Sequence, residues 1–476
     1  MRYELSTACV TFGPPHPRRR LGININHLTD GKAVHDSNRP LKTALSAMGC
    51  KWLRFPGGEK SDAYLWSNPP FTAPSPRCCR TGPRQAGDIF RRYIADDGIA
   101  YSDETLGFDE YVRLCREIDA EPIIVVAYDS YCKEVPATGT KPSRSELLEN
   151  ARTWVRYANK TMRYGIRYWE IGNESYLDSY NGAVTAETYA RDVIEFSAAM
   201  KAEDESIHIG VNGPNGVDAL GALDKGTGNA WWRTVLGLAS QSIDFLSVHD
   251  YPCMEWMSYD SYHKTEHNFA KALESARDCI GSFCNSHDAA RIQIALTETN
   301  SADWFGHPEN LGWPHENTLG HAIVLFEMLA TQLVEPKLLC TLVWNTRWIR
   351  NDELGTPQLW DALKPDNTPN PTGMVLEIFG RHLADRFGRI DTKGPLACFF
   401  SESDELRTFF IVNRDFVPHT ASVINGENTT IETTIERLAG SGPDDTTPSV
   451  SDSSIGVQAL ESIELPPVSI TIVTIR

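Results

Sequence analysis

The chain has 476 residues, 41% hydrophobic and 10% aromatic, enough for a large buried core and a satellite domain. Its formal charge of −18, with no basic cluster beyond Arg18–Arg20, argues against nucleic acid and against an anionic membrane surface, which both need concentrated lysine and arginine. No run of about 18 or more uncharged apolar residues occurs, so no membrane-spanning helix is expected.

The amino terminus, MRYELSTACVTFGPPHPRRR, lacks the apolar stretch of a secretory signal, and YELSTACV reads as a strand contributed to a later β domain. Eight short β-branched or apolar runs follow: LGININ (21–26), KWLRF (51–55), PIIVVAY (122–128), IRYWEIGN (166–173), IHIGVNG (207–213), DFLSVHDY (244–251), IQIALTE (292–298) and CTLVWN (340–345). Several are continuously apolar, as in strands buried on both faces of a parallel sheet. Amphipathic helices lie between them. Over 103–118, Phe108, Tyr111, Val112, Cys115 and Ile118 recur at helical spacing, with Asp103 as the expected cap. Residues 145–164 align Leu147, Ala151, Trp154 and Ala158, and 189–200 align Tyr189, Val193, Phe196 and Met200. Strands alternating with helices predict an α/β fold, a (β/α)8 TIM barrel over 19–385. A doubly wound sheet is the rival, but no early strand leads into a glycine-rich phosphate loop. The long connection 56–102, rich in Pro, Gly and Arg, is expected to wall a cleft.

After a last helix near 374–385 the pattern changes to period-two stretches (RTFFIVN, TTIETTI, VSITIVTI). These predict an accessory all-β sandwich domain over 386–476, joined by an amino-terminal strand from 1–18, with 439–454 as a polar surface loop. Eleven cysteines without a C-x-x-C pair or Cys/His ligand spacing predict reduced thiols in a cytoplasmic compartment and no metal site. A secreted chain with a trimmed leader gives the same pattern.

Two glutamates stand where barrel strands end: Glu174 in YWEIGNESY after the fourth, Glu298 in ALTETNS closing the seventh. In such barrels the carboxyl ends of all strands converge on one face. Two carboxylates brought about 5–5.5 Å apart there can cleave a glycosidic bond by double displacement. Glu298 is then the nucleophile and Glu174 the acid/base, so Glu174 must rest protonated while Glu298 stays ionised. Arg54 and Tyr251 are the best-placed donors to Glu298. Asn173 would reach the sugar hydroxyl beside the anomeric centre, and His249 would orient substrate or carboxylate. The plainer alternatives make Arg54 an ion-pair partner of Asp62 or Glu59, His249 a satisfied core residue and Tyr251 a packing residue. Seven of the twelve tryptophans (Trp66, Trp256, Trp304, Trp313, Trp344, Trp348, Trp360) fall at strand ends or in the following loops, where sugar faces stack on aromatic rings. Trp344, Trp304 and Trp66 are the candidates named for that contact, Trp344 first. The chemistry asks for no metal and no organic cofactor; the expected partner is a glycan, and self-association into a homo-oligomer stays open.

These residues resemble clan A glycoside hydrolases, in which Asn-Glu closes the fourth strand and a nucleophilic glutamate the seventh. KWLRFPGGEKSDAYLW (51–66) looks like the R-x-P-G-G segment of glycoside hydrolase family 51, the α-L-arabinofuranosidases, and FDEYVRLCREIDAEPIIVV (108–126) is similar to that family's next helix and strand. The resemblance implies the roles above for Arg54, Asn173, Glu174, Tyr251, Glu298 and Trp344, and a hydrolase of plant or algal glycans. After Pro56 the continuation GGEKSDAYLW departs from that family's pattern, as does TETNS around Glu298. The RFPGGE stretch and the aromatic loops also look like β-agarase-type enzymes of algal galactans, and a barrel that binds carbohydrate without cleaving it is a third reading.

Overall fold

The computed structural model describes residues 2–35, 37–79, 93–95, 100–131, 141–177, 184–215, 228–252, 258–301, 316–348, 361–392, 394–424, 432–455 and 460–476. Eight parallel strands close into a barrel in chain order: Leu21–Asn24, Trp52–Phe55, Glu121–Val126, Tyr168–Ile171, His208–Asn212, Phe245–Asp250, Gln293–Thr299 and Leu338–Val343. Each of the eight apolar runs overlaps one of them, and five contain it whole. The helix Arg144–Val155 starts at Ser143, whose hydroxyl accepts from the Glu146 N–H in a Ser-x-x-Glu sequence, and Ala186–Glu203 starts at Thr185, whose hydroxyl accepts from the Thr188 N–H. Asp103 does not cap the helix Phe108–Glu117. That helix begins after Gly107, and Asp103 stands in the preceding turn, exposed and 3.8 Å from Lys32.

Residues two apart on a strand point to the same face, so each strand carries its chemistry along the barrel axis. Trp52, Ile123, Phe245, Ala295 and Leu342 form an apolar plug at the amino-terminal half. Further along the axis, the barrel strands place Asn24, Arg54, Glu170, Ser247 and Thr297 inside, all fully buried. The barrel interior thus turns from apolar to polar just beneath the face where its loops converge.

Beyond the barrel lie two sheets. In the larger, Arg386–Ile390, Leu396–Glu402, Arg407–Asn413, Ser469–Ile475, Thr433–Ala439 and Ser449–Ile455 run antiparallel in that spatial order, and Val10–Phe12 pairs with Arg386–Ile390. In the smaller, Arg2–Ser6 pairs parallel with His419–Ile424, which pairs antiparallel with Ile463–Leu465. Segment 439–454 is not wholly a loop, because Ala439 ends the strand Thr433–Ala439 and residues from Ser449 onward form the edge strand Ser449–Ile455. A serine-rich edge strand with one valine carries no hydrophobic alternation, although polar composition is a usual protection for an edge.

The central strands of the larger sheet are covered on both faces. Phe399, Phe410 and Ile472 pack toward the barrel helices Leu319–Gln332 and Pro371–His382, with Phe326 stacked on Phe379 at 4.7 Å between ring centres. Their neighbours Phe400, Phe409 and Val473 face the small sheet and meet Leu5, Ala421 and Ile463. An ion pair reinforces this junction: Glu436 accepts from Arg381 and from His382, the latter at 3.1 Å. Burial alone would raise the Glu436 pKa, but these hydrogen bonds pull it down to about 2. A carboxylate depressed in the folded state adds stability above its ordinary pKa and loses it as pH falls toward the depressed value. Glu436→Gln should therefore lower the urea midpoint at about pH 6 and approach wild type near pH 2. A difference that does not shrink on acidification would refute the linkage.

Candidate active site

The polar layer inside the barrel is organised by Arg54, which is wholly buried at the end of the second strand. Its five N–H groups are all used. Nε and Nη2 donate to Glu170 at 2.8 and 3.2 Å, Nη1 donates to Glu298 Oε1 at 2.8 Å and to Asn24 Oδ1 at 3.1 Å, and Nη2 also donates to Asn173 Oδ1 at 2.9 Å. Asp62 and Glu59, the plainer partners, do not receive it. Tyr251 donates to the other Glu298 oxygen at 2.7 Å. Both oxygens of Glu298 therefore hold donors, as an ionised carboxylate requires.

Glu174 is the most open of the three carboxylates, its side chain 20% exposed against 7% for Glu298 and 0% for Glu170. The chain turns sharply to present it. Gly172 has φ 73° and Glu174 itself φ 48°, a left-handed backbone that costs a non-glycine residue about 1–3 kcal/mol. The turn is held from the fifth strand, where Asn212 Oδ1 accepts from the Ser175 N–H at 2.8 Å. His249 Nδ1 lies 2.8 Å from Glu174 Oε1 and 3.6 Å from Glu298 Oε2. The register slips between Val248 and His249, which sets His249 opposite Glu298, and bulges of this kind are common beside active sites.

Burial raises the Glu174 pKa, and the charge of Glu298 adds to it, together outweighing the hydrogen bond of His249, which lowers it. For His249 burial acts downward, but the Glu298 charge and the Glu174 hydrogen bond bring the net shift upward. Glu174, His249 and Glu298 each offer an atom within 4.8 Å of the others. The two carboxyl groups consequently meet across one gap.

Trp344 follows the eighth strand at the same face, 8% exposed, with Trp348 5.5 Å away between ring centres. Trp66 is a correction. It is fully buried in the loop core, its Nε1 donates to the Asn150 carbonyl at 2.9 Å, and it stacks on Tyr157, so no sugar can reach it. Trp304 lies outside the described residues, as do Trp256, Trp313 and Trp360. Cys9, Cys50, Cys78, Cys115, Cys284, Cys340 and Cys398 are free thiols.

Sequence reasoning missed Glu170 and Asn24. Glu170 is the counter-ion that lets Arg54 be buried, and Ser247 donates to it as well. Removing one member of a buried ion pair costs about 3–5 kcal/mol, since the other charge is left uncompensated. Glu170→Ala should thus lower stability by about that amount, read from urea midpoints, with Glu170→Gln losing less. An unchanged midpoint would show that Glu298 alone neutralises the arginine.

Residues 44–272 match the model of the alpha-L-arabinofuranosidase 1 domain. The chain is arabinofuranosidase-like. The matched stretch runs from before the second strand to beyond the sixth and so contains Arg54, Asn173, Glu174, His249 and Tyr251, whereas Glu298 and Trp344 lie beyond it. Among relatives, the chain is 24% identical over 283 residues to an intracellular exo-alpha-(1->5)-L-arabinofuranosidase of Bifidobacterium longum, covering 55% of this chain and 44% of that protein. It is 25% identical over 326 residues to the enzyme of the same name from Acetivibrio thermocellus, covering 63% and 56%. The arabinofuranosidase-like chain thus aligns with about half the length of these relatives. Among solved structures, a family 51 alpha-L-arabinofuranosidase from Bifidobacterium longum superposes with a TM-score of 0.69 at 17% identity, covering 100% of this chain and 99% of that one. An alpha-L-arabinofuranosidase from Thermotoga maritima, in complex with arabinose, gives 0.66 at 19% identity, covering 99% and 98%. These likenesses show the fold: a (β/α)8 barrel with an accessory β-sandwich.

Proposed function

We propose that this chain is a retaining glycoside hydrolase that releases α-L-arabinofuranosyl groups from plant glycans, with residues 19–385 as the catalytic unit. The observation that carries the reading is the pair Glu174 and Glu298, drawn from the fourth and seventh strands and offering oxygens within 4.8 Å of each other. A retaining mechanism needs its carboxyl groups about 5–5.5 Å apart. In the first step a Glu298 oxygen bonds to the anomeric carbon as the bond to the leaving oxygen breaks, and Glu174 gives that oxygen its proton. In the second, Glu174 takes a proton from water, the water oxygen bonds to the anomeric carbon, and Glu298 is released. Arg54 and Tyr251 keep Glu298 aligned without moving between steps. Asn173 has its Oδ1 engaged by Arg54, so its amide N–H groups are the part offered to the sugar. Trp344 supplies the apolar platform.

The arabinofuranosyl preference is favoured over galactan cleavage by the names of the relatives and by the matched domain. The two relatives named above are called intracellular, which supports the same compartment here. Incubation with aryl α-L-arabinofuranoside, following the first-formed sugar by NMR, tests the reading. Retained configuration at the anomeric carbon is expected, whereas inversion or no turnover on any aryl glycoside would refute it. The spacing of Glu174, His249 and Glu298 would also admit a cation, but the Arg54 guanidinium 2.8 Å from Glu298 opposes one. EDTA should accordingly leave the rate unchanged; a loss reversed by added divalent metal would favour metal-assisted hydrolysis.

A further inference from the structure

The stretch that departs from the family 51 pattern, GGEKSDAYLW after Pro56, lies directly against Glu298 and Trp344. Gly58 has φ 48°, and a Cβ there would stand 2.2 Å from the Trp344 ring and 2.9 Å from Glu298 Oε1, so only glycine lets the chain pass this close. Gly58 opens a 3-10 turn, Gly58–Ala63, and two residues into it Lys60 reaches over the tryptophans. Its Nζ lies 3.5 Å from the centre of the Trp348 ring and 5.2 Å from that of Trp344. The residue is 4% exposed, and Nζ has no hydrogen-bond acceptor among the described residues.

The π faces attract the charge but accept none of the three ammonium N–H groups in a normal hydrogen bond. A buried polar group left this way is costly, so the site is incomplete until something brings an acceptor. The surrounding charge indicates what that acceptor is. Burial lowers the Lys60 pKa to about 8, while Glu59, Glu298, Asp361 and Asp30 act in the opposite direction. An anionic guest would be drawn to one ammonium but repelled by the carboxylates around it, Glu59 and then Glu298. A hydroxyl oxygen meets the ammonium without that penalty.

We propose that Lys60 reads a hydroxyl of the sugar bound over Trp344, donating to its oxygen, and that this contact sets a sugar preference particular to this chain. The proposal rests on the hydrolase reading above. Its test uses the aryl glycoside that the wild-type chain cleaves best, together with the set of monodeoxy versions of the same sugar. A hydrogen bond from a charged donor makes the wild type lose about 10- to 100-fold in kcat/KM at one deoxy position. Lys60→Met keeps the stem against Trp348 but has no donor. It should cleave the parent and that deoxy sugar equally well, while keeping the wild-type losses at every other position. Lys60→Gln, which retains N–H groups, should recover part of the discrimination. A merely structural role would lower all substrates together and leave the deoxy profile unchanged, which would overturn the proposal. A preference for aryl uronides that disappears in Lys60→Met would overturn it too, in favour of a carboxylate guest. Absence of turnover by the wild type on every aryl glycoside would instead refute the hydrolase reading itself, and the inference with it.

Discussion

Glu298→Ala is expected to lower kcat/KM on an aryl α-L-arabinofuranoside by roughly 10⁴- to 10⁶-fold, the scale of losing the nucleophile in a covalent mechanism. Each tenfold step is about 1.4 kcal/mol of barrier, so the side chain is being asked for roughly 5–8 kcal/mol. The expectation is sharp because the fold should survive the change. Arg54 keeps both hydrogen bonds to Glu170 and those to Asn24 and Asn173, so its buried charge stays compensated. What is lost is one Arg54 Nη1 hydrogen bond and the Tyr251 hydroxyl's bond to Glu298. Circular dichroism and the urea midpoint should therefore change little beside the loss of rate. A variant within tenfold of wild type would remove Glu298 from the mechanism, however well it sits.

Glu174→Ala should behave differently on different substrates. Loss of a general acid/base costs about 10²- to 10⁴-fold where the leaving group needs a proton. An aryl group of low pKa leaves unaided, so the first step on such a glycoside is spared and the second becomes limiting. Added azide should then take the place of the deprotonated water, restore turnover and yield a glycosyl azide. The pH profile carries a second check. The acid form of Glu174 is needed first, and its pKa is raised by burial and by Glu298, so kcat/KM falls as pH rises through that raised value. His249 acts against the shift, because its hydrogen bond favours the ionised form. Removing it in His249→Phe should move the alkaline limb to higher pH. A limb that stays put, or moves down, would mean that another group controls it.

The barrel was legible because its strands are short apolar runs buried on both faces, separated by amphipathic helices, and three of those runs end at or beside a charged candidate residue. Arg54, Glu174 and Glu298 could be picked out for that reason. Glu170 could not be, although a signal existed: a carboxylate in the middle of an apolar strand, YWEI, must have a buried partner, and Arg54 was the available one. Trp66 shows the opposite limit. An indole after a strand reads the same whether it faces a cleft or anchors a loop, and only the position of the helix Arg144–Val155, which brings Asn150 and Trp154 to it, decides. Asp103 failed as a cap because Gly107 can start a helix with a backbone as extended as any polar cap provides. The edge strand Ser449–Ile455 was hidden by its serines, since nothing hydrophobic alternates where one face is left to water.

The double cover of the larger sheet has a consequence for how such a chain is inherited. Phe326 and Phe379 belong to the last barrel helices, yet the rings that cover them, Phe399 and Phe410, come from after residue 386. A gene fragment ending at the last helix would encode a barrel with a wide greasy scar, prone to stick to its own copies. Recombination that separates the two halves is thereby penalised, and this architecture should travel between genomes as one indivisible cassette.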